Sequence, residues 1–199
     1  NVHVTDGTNT DTIAVTIDLT DVNEAPVITP TGTGSVAENA VGADTGITLT
    51  VADPENDAVT WAVPGTGSDK FEVVTASGGG YKLKLKSGQS LNFEDGASYT
   101  LTLTATDDGI PPLSHAVEVT VVVTNVNEAP VITAAGTGTV AENADGADTG
   151  ITLTVADPDA GDTPTWTIAG TGSDKFVVVA DGLNWKLKLK SGQSLDFEG

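Results

Sequence analysis

The sequence predicts an all-β protein built from tandem β-sandwich repeats, and two observations carry this prediction. Apolar and polar residues alternate along much of the chain, as in ITLTVAD at 47–53 and YTLTLTATD at 99–107. This period of two is the pattern of half-buried strands. Long segments also recur about 104 residues further on, so that DVNEAP ends at Pro26 and NVNEAP at Pro130. Repetition at a fixed period indicates an array of similar units.

The repeat defines the predicted domains. GADTGITLTVADP occurs at 42–54 and 146–158, and KLKLKSGQSL at 82–91 and 186–195. One inserted residue near Gly161 is compensated before Trp185, in stretches that resemble turns and therefore tolerate length changes. We expect residues 1–22 to be the last two strands of a repeat, 23–126 a complete repeat and 127–199 the N-terminal part of a third. The chain is then a window on a longer array.

Within the complete copy the strands follow from alternation, taken in order. VITPTG opens the copy, ITLTVAD turns Ile47 and its alternate neighbours inward, and AVTWAV places Trp61 in a third strand. FEVV is short, and in YKLKLK three lysines face water while Tyr81, Leu83 and Leu85 face the core. YTLTLTATD and HAVEVTVVVT complete the set. About seven short strands in about 100 residues favour a Greek-key sandwich of immunoglobulin-like shape.

Composition limits the function. The chain has 28 acidic residues and 8 basic ones, all lysines, for a formal charge of −20. Such a surface disfavours nucleic acid and anionic membranes and suits divalent cations. The patterned 38% of hydrophobic residues argues against disorder, and the absence of cysteine excludes disulfides and thiolate chemistry. No apolar run approaches the ~20 residues of a membrane span.

The acidic residues gather at strand ends and linkers. In the complete copy they are Glu38, Asp53, Glu55, Glu94, Asp107, Asp108 and Glu128, and in the next copy Glu142, Asp157, Asp159, Asp162, Asp196 and Glu198. Strand ends meet at the poles of a sandwich, where clustered carboxylates repel one another. Ca²⁺ accepts irregular shells of carboxylate and carbonyl oxygens, so the pattern favours calcium.

Five motifs, in this order and spacing, carry a family resemblance. They are DVNEAP, the Glu of AEN, the DxD-like pair, LNFE and the TDDGIPPLS loop. Together they resemble the calcium motifs of the cadherin repeat, over essentially the whole chain. The resemblance implies a sandwich fold, calcium between successive repeats, an extracellular or cell-surface location and a role in adhesion. The neighbouring repeats would be the partners, and the sequence does not name the adhesive partner.

The resemblance also implies a ligand set. At the second junction it names Glu38, Glu94, the Asn127 carbonyl, Glu128, Asp157 and Asp159, and at the first Asn23, Glu24, Asp53, Glu55 and Asp107. The linker is one residue shorter than in animal cadherins, Glu55 stands in a DxD motif, and Asn92 replaces an Asp. We therefore expect one or two ions per junction. The short linker and near-identical copies resemble the large repetitive surface adhesins of bacteria.

Several alternatives stay open or are disfavoured. The acids could be a solvated surface, and the chain could be a calcium-independent spacer or carbohydrate-binding module of a secreted polysaccharide-degrading enzyme. An EF-hand is excluded, since position twelve from Asp157 is Ile168. Catalysis is not expected, because the paired carboxylates recur in every copy and neither histidine has a nucleophile partner. Residues 1–22 are the two-strand complement of 127–199, which allows head-to-tail self-association.

Overall fold

The computed structural model describes residues 1–198, and the chain divides into two compact units, Asn1–Thr124 and Asn125–Gly199. Unit 1 contains strands β1 Val2–Thr5, β2 Thr10–Ile13, β3 Val27–Thr31, β4 Gly34–Ala37, β5 Asp44–Ala52, β6 Thr60–Ala62, β7 Phe71–Thr75, β8 Tyr81–Leu85, β9 Ser98–Thr106 and β10 Ser114–Thr124. Unit 2 contains β11 Val131–Ala135, β12 Asp148–Ala156, β13 Phe176–Asp181 and β14 Asn184–Leu189. The only helical turns among the described residues are two short 3₁₀ segments, Ser68–Lys70 and Ser173–Lys175. None of the described helices is long and apolar enough to cross a membrane.

Residues 27–124 form a sandwich of two four-stranded sheets, in the orders β3-β5-β8-β7 and β4-β10-β9-β6. All pairings are antiparallel except β4 with β10, which is parallel. The predicted all-β, immunoglobulin-like sandwich is confirmed. The first predicted strand, VITPTG, is β3, which pairs with β5. The chain then crosses to the other sheet and forms β4, a strand that was not predicted. Gly32 makes this crossing with φ 90°, where a Cβ would clash with the Gly46 carbonyl oxygen.

The core of unit 1 lies where the alternation predicts it. Leu49, Leu83, Leu101, Leu103 and Val121 point between the sheets and are almost fully buried. On the opposite side of β8 the lysines face outward, and Lys82 Nζ lies 2.7 Å from Asp44 Oδ2 on β5. Outward-facing charges keep this sheet face from pairing with other apolar surfaces.

Aromatic rings close the edges of the unit 1 core. Trp61 packs edge-to-face on Tyr81 with ring centroids 5.1 Å apart, and Phe71 packs in the same way on Tyr99 at 5.6 Å. Each of these partly or fully buried rings packs against the core cluster or belongs to it. Trp61 lies in β6, the third strand that the alternation predicts, and packs on the core.

Unit 2 repeats one of the two sheets, in the order β11-β12-β14-β13. Its register is that of unit 1, since Ile132 lies opposite Val155 as Ile28 lies opposite Val51. The segment around Trp166, which is the counterpart of Trp61 and was expected to form the same strand, is not a strand in the described chain. In unit 1 the equivalent β6 is held by β9, and the described residues after Trp166 form no strand equivalent to β9. The inner face is correspondingly open, with Ile132 57% exposed against 4% for Ile28.

Strands β1 and β2 form an antiparallel pair in which Val2 lies opposite Ile13, as Leu103 lies opposite Val117 in β9 and β10. The apolar side chains of the pair are exposed, whereas their counterparts in β9 and β10 are mostly buried. This similarity supports the interpretation of residues 1–22 as two terminal strands of a repeat. The three-part domain division remains a prediction.

Candidate metal centre

The first acidic cluster holds the linker at Asn23 against the end of the unit 1 sandwich. Asn23 Nδ2 donates to both carboxylate oxygens of Asp107, at 3.3 Å each, and to the Pro111 carbonyl at 2.9 Å. Asp107 is only 4% exposed, and its Oδ1 also accepts the N–H groups of Gly109 and Leu113, at 3.2 and 2.8 Å. These donors stabilise the buried charge, so Asp107 is both an anchor for the linker and a candidate ligand.

The turn after β5 completes this cluster. Asp53 follows the strand directly, and its Oδ1 accepts the N–H groups of Glu55 and Asp57 at 3.1 Å each, which closes the turn. Glu55 Oε2 in turn accepts the Glu24 N–H at 3.2 Å. The structure therefore brings together all five residues predicted for the first junction. We define Asn23, Glu24, Asp53, Glu55 and Asp107 as the first linker cluster.

Two oxygens of the first linker cluster indicate that it fits a cation. Asn23 Oδ1 and Asp53 Oδ2 are buried and accept no hydrogen bond within the described residues. Buried polar atoms are rarely left unpaired, because the lost hydration is not recovered. Carboxylate and amide oxygens are the ligands that Ca²⁺ prefers. The residues present thus fit a calcium ion.

The electrostatics of this cluster show unrelieved repulsion. The pKa of Glu24 is raised above its usual 4.5, because its carboxyl hydrogen-bonds with the Glu55 carboxylate and lies beside that charge. The same hydrogen bond lowers the pKa of Glu55, which therefore ionises before Glu24. A raised pKa in the folded state gives stability below pH 4.5 that is lost as the pH rises through the raised value. At neutral pH and without an ion, the linker therefore carries the repulsion of this pair.

The Glu24 titration gives a direct prediction. In EDTA we expect Glu24 to titrate above its ordinary value, and Glu55→Gln to move its pKa back down, because the partner charge is removed. Carboxyl ¹³C NMR over an acid titration measures both. Asp44 is an internal control, since its pKa is lowered by the hydrogen bond from Lys82 and should not respond. A Glu24 titration that Glu55→Gln leaves unchanged would contradict the assigned cause.

A second cluster of unit 1 contains Glu38 and Glu94. Glu38 follows β4 and is 2% exposed, and its Oε2 accepts the Phe93 N–H at 2.9 Å. A carboxylate oxygen of Glu38 and one of Glu94 lie within 4.8 Å of each other. Asn92 lies beside both acids. Two carboxylates at this spacing, one of them buried, form a second group of candidate ligands.

Unit 2 repeats parts of both groups. Asp157, Asp159 and Asp162 bring carboxylate oxygens within 4.8 Å of one another. Asp159 is 7% exposed, and its Oδ2 accepts the Glu128 N–H at 2.6 Å, as Glu55 accepts from Glu24 in unit 1. The linker is thus held to the following turn in both copies. The side chain of Asn127 donates to the Glu128 carbonyl oxygen at 3.2 Å, and the predicted role of the Asn127 carbonyl as a ligand stays a prediction.

The structure adds residues that the predicted ligand set omitted. Asp162 joins Asp157 and Asp159, and Glu142, Asp196 and Glu198 form a further exposed group within 4.8 Å. Asp57, the counterpart of Asp162, has a raised pKa, first through desolvation and then through the charge of Asp108. Recurrence at matching positions was the sequence signal for most of these acids. This recurrence was not sufficient to select the ligands, because spacing alone does not show which carboxylates lie close together.

Comparisons with known proteins concern the family and the fold of the chain. The family model of the cadherin domain matches residues 33–124. Protocadherin Fat 2 of rat is 37% identical over 125 residues, which are 60% of this chain and 3% of that protein, and the mouse protein is 36% identical over 126 residues, again 60% and 3%. The chain therefore spans a small part of these relatives.

Solved structures give the same result. The protocadherin gamma B4 extracellular domain superposes with a TM-score of 0.55 at 28% identity, over 89% of this chain and 29% of that one. Human protocadherin-24 EC1-2 shares the fold, with a TM-score of 0.56 at 22% identity, over 88% and 82% of the two chains. Both matched structures are of protocadherin extracellular regions, and this chain shares their sandwich fold. Residues 33–124 are therefore similar to a cadherin domain in sequence and in fold.

Proposed function

We propose that this chain is a calcium-binding, calcium-rigidified segment of an extracellular adhesive stalk. The observation that carries the proposal is the first linker cluster. There the linker residues Asn23 and Glu24 are already held against the sandwich, and Asn23 Oδ1 and Asp53 Oδ2 are buried without donors. A bound ion would convert this loose attachment into a fixed one.

The residues of the first linker cluster would hold the ion. Calcium supplies a positive charge that accepts six to eight oxygen ligands. Asp107 and Asp53 present carboxylates fixed by backbone N–H groups, and Asn23 presents its amide oxygen. Glu24 and Glu55 present the two carboxylates whose repulsion is otherwise unrelieved. In unit 2, Glu128, Asp157 and Asp159 are proposed for the same role, with Asp162 added.

The expected gain is modest for each site. Extracellular calcium modules bind with Kd of about 10⁻⁴–10⁻³ M. At a tenfold excess of free ion, one site stabilises the folded state by about 1.4 kcal/mol. Repeated along an array, a gain of this size at every linker changes a flexible chain into a stiff one. Because one carboxylate and one linker residue of the animal pattern are missing, we propose one or two ions per junction.

Thermal melts of the chain test the proposal, with and without millimolar CaCl₂, with EDTA, and with MgCl₂ as an ion control. We expect Ca²⁺ alone to raise the Tm. Glu94→Ala should weaken calcium binding while leaving the sandwich folded, because Glu94 is not among the buried core residues. Glu118→Gln, on the exposed side of β10, is the matched control. Identical Tm values in Ca²⁺ and EDTA would contradict calcium binding and indicate that the acidic groups are only a solvated surface.

The adhesive setting is part of the proposal. The matched structures are of protocadherin extracellular domains. We extend their extracellular location, and an adhesive role, to this chain. Its shorter linker and near-identical copies favour a long repetitive surface adhesin of bacterial type. The alternative carbohydrate-binding module has no observation in its favour here, since the aromatic side chains of unit 1 pack on the core.

Self-association is proposed as well, with a second copy of this chain as the partner. One matched structure is titled a cis-dimer of protocadherin gamma B7, at 26% identity and a TM-score of 0.53, over 87% of this chain and 43% of that one. In this chain, Ile17 and Leu19 are exposed apolar residues at positions equivalent to the buried Val121 and Val123. In unit 1, Val121 and Val123 belong to the sheet that covers the inner face of β3-β5-β8-β7. The equivalent inner face of the unit 2 sheet is open. The apolar strands of one copy would cover that face in another.

Sedimentation velocity over a wide concentration range tests this pairing. We expect open-ended oligomers, because a head-to-tail contact does not close on itself. Ile17→Asp should abolish them, and Thr16→Asp, which adds the same charge at the alternate position, should not. A chain that stays monomeric at every concentration would remove the proposal.

A further inference from the structure

Asn92 occupies a position that differs between the two copies. It lies in LNFE of unit 1, whereas Asp196 lies in LDFE of unit 2. With its amide nitrogen toward the acids, Asn92 Nδ2 donates to Glu94 Oε2 at 2.6 Å and to Glu38 Oε2 at 3.0 Å. The opposite orientation would place the amide oxygen against carboxylate oxygens. One neutral side chain therefore joins the two acidic ones.

This contact changes the energetics of the ion-free state. Glu38 is 2% exposed, and a buried carboxylate requires donors to replace its lost hydration. Two of these donors are the Phe93 N–H, 2.9 Å from Oε2, and the Asn92 side-chain nitrogen. Hydrogen bonds to an ionised acceptor are among the stronger ones. Asn92 thus supplies part of what a cation would otherwise supply.

The second copy shows the alternative. There Glu142, Asp196 and Glu198 bring three carboxylate oxygens within 4.8 Å of one another, and all three side chains are exposed. Asp196 Oδ1 accepts the Glu198 N–H at 3.2 Å. An ionised Asp has no proton to donate, so it adds a third charge instead of joining the other two. A cation therefore stabilises this group of three carboxylates more, and without a cation their mutual repulsion destabilises it more.

We propose that Asn92 sets the calcium dependence of its repeat. Its amide holds Glu38 and Glu94 together without an ion and removes one charged ligand, so this end of unit 1 binds Ca²⁺ more weakly than an end that carries Asp. For Asn92 to serve as a ligand, its amide would have to turn and present its oxygen, which breaks both hydrogen bonds. In an array of otherwise near-identical repeats, the choice of Asn or Asp at this position would then determine how strongly Ca²⁺ stiffens each repeat end. The effect of Asn92 on calcium affinity rests on the proposed function, whereas its joining of Glu38 and Glu94 without an ion does not.

Reciprocal exchange of the two residues tests the inference in the full chain. We expect Asn92→Asp to lower the Tm in EDTA by about 4 °C or more, and to tighten calcium binding, measured by isothermal titration calorimetry, by about tenfold relative to wild type. Asp196→Asn should weaken the tightest component of binding. Ser87→Asp adds the same charge at an exposed position of unit 1 and is the control. Asn92→Ala removes the donor without adding charge, so it should lower the Tm in EDTA without tightening calcium binding.

The outcomes are distinguishable from failure of the proposed function. If neither wild type nor variants bind Ca²⁺, the proposed function fails, and the EDTA melts still decide whether Asn92 joins the two acids. If Asn92→Asp melts like Ser87→Asp in EDTA, the joining contact is absent and the inference is overturned. If Asn92→Asp binds calcium no more tightly than Ser87→Asp while wild type does bind, the grading of calcium dependence is overturned.

Discussion

Replacing Asp107 with alanine is expected to detach the first linker and lower the free energy of unfolding of unit 1 by about 3 kcal/mol. Asp107 is buried, and its carboxylate accepts hydrogen bonds from Asn23, Gly109 and Leu113. The substitution leaves these donors without their acceptor in a region that water reaches poorly. It also removes a candidate calcium ligand, so the Ca²⁺-dependent rise in Tm at this linker should vanish. Chemical denaturation in EDTA and in CaCl₂ measures both effects.

Two further variants separate the structural role of Asp107 from calcium binding. Asp107→Asn keeps the size and one acceptor oxygen, so we expect it to fold with a smaller loss of stability while still losing the calcium response. Glu118→Ala, an exposed acid on β10, should change neither. A calcium response that survives in Asp107→Asn would argue that this carboxylate anchors the linker without binding the ion.

Leu83→Ala and Leu187→Ala are the second pair of changes with large expected effects. The two leucines occupy the same position in KLKLK, but Leu83 is fully buried and Leu187 is only partly buried. A buried Leu→Ala change costs about 2–5 kcal/mol, through lost transfer energy and the cavity left behind. We therefore expect Leu83→Ala to cost about 3 kcal/mol and Leu187→Ala about half as much. Differential scanning calorimetry should show the first loss in the transition of unit 1 and the second in that of unit 2.

The two leucine substitutions are expected to differ in cost because only unit 1 has a second sheet that covers the leucine. In unit 1, Leu103 and Val121 on β9 and β10 form the opposite wall of the core. The sheet of unit 2 has no such wall among the described residues. Equal losses for the two leucine variants would mean that the inner face of unit 2 is covered in solution, either by a second copy of the chain or by collapse of its own loops.

Much of the fold was predictable because alternation is a local signal. In ITLTVAD and YKLKLK, the polar residues between apolar ones fix which face is buried, and the structure places Leu49 and Leu83 accordingly. Strand β4 was not predicted, because it depends on the clash that Gly32 avoids and on the parallel pairing of β4 with β10. The missing strand at Trp166 depends on a partner far along the chain.

The candidate site was predictable as a set of residue types and less so as a geometry. Repetition and the cadherin resemblance identified the acids of the first linker cluster, which the structure brings together. Neither signal could show that Asn23 donates to Asp107 through its nitrogen and leaves its oxygen free, because this depends on side-chain orientation. The donor role of Asn92 was missed for the same reason. From sequence it reads only as a lost carboxylate. Their roles as calcium ligands remain proposals.

The hairpin between β7 and β8 differs in length from its counterpart without disturbing the sheet. Phe71 lies opposite Leu85 and Phe176 opposite Leu189, although the chain between these partners is one residue longer in the first copy. The extra length is taken up at the tip, around the glycines at 78–80, where an added side chain at Gly78 or Gly79 would meet nothing within 4 Å. This tip is therefore a site for inserting fluorescent labels. A dye there and another at Gly182 would make the bending of the chain directly measurable as energy transfer at different calcium concentrations.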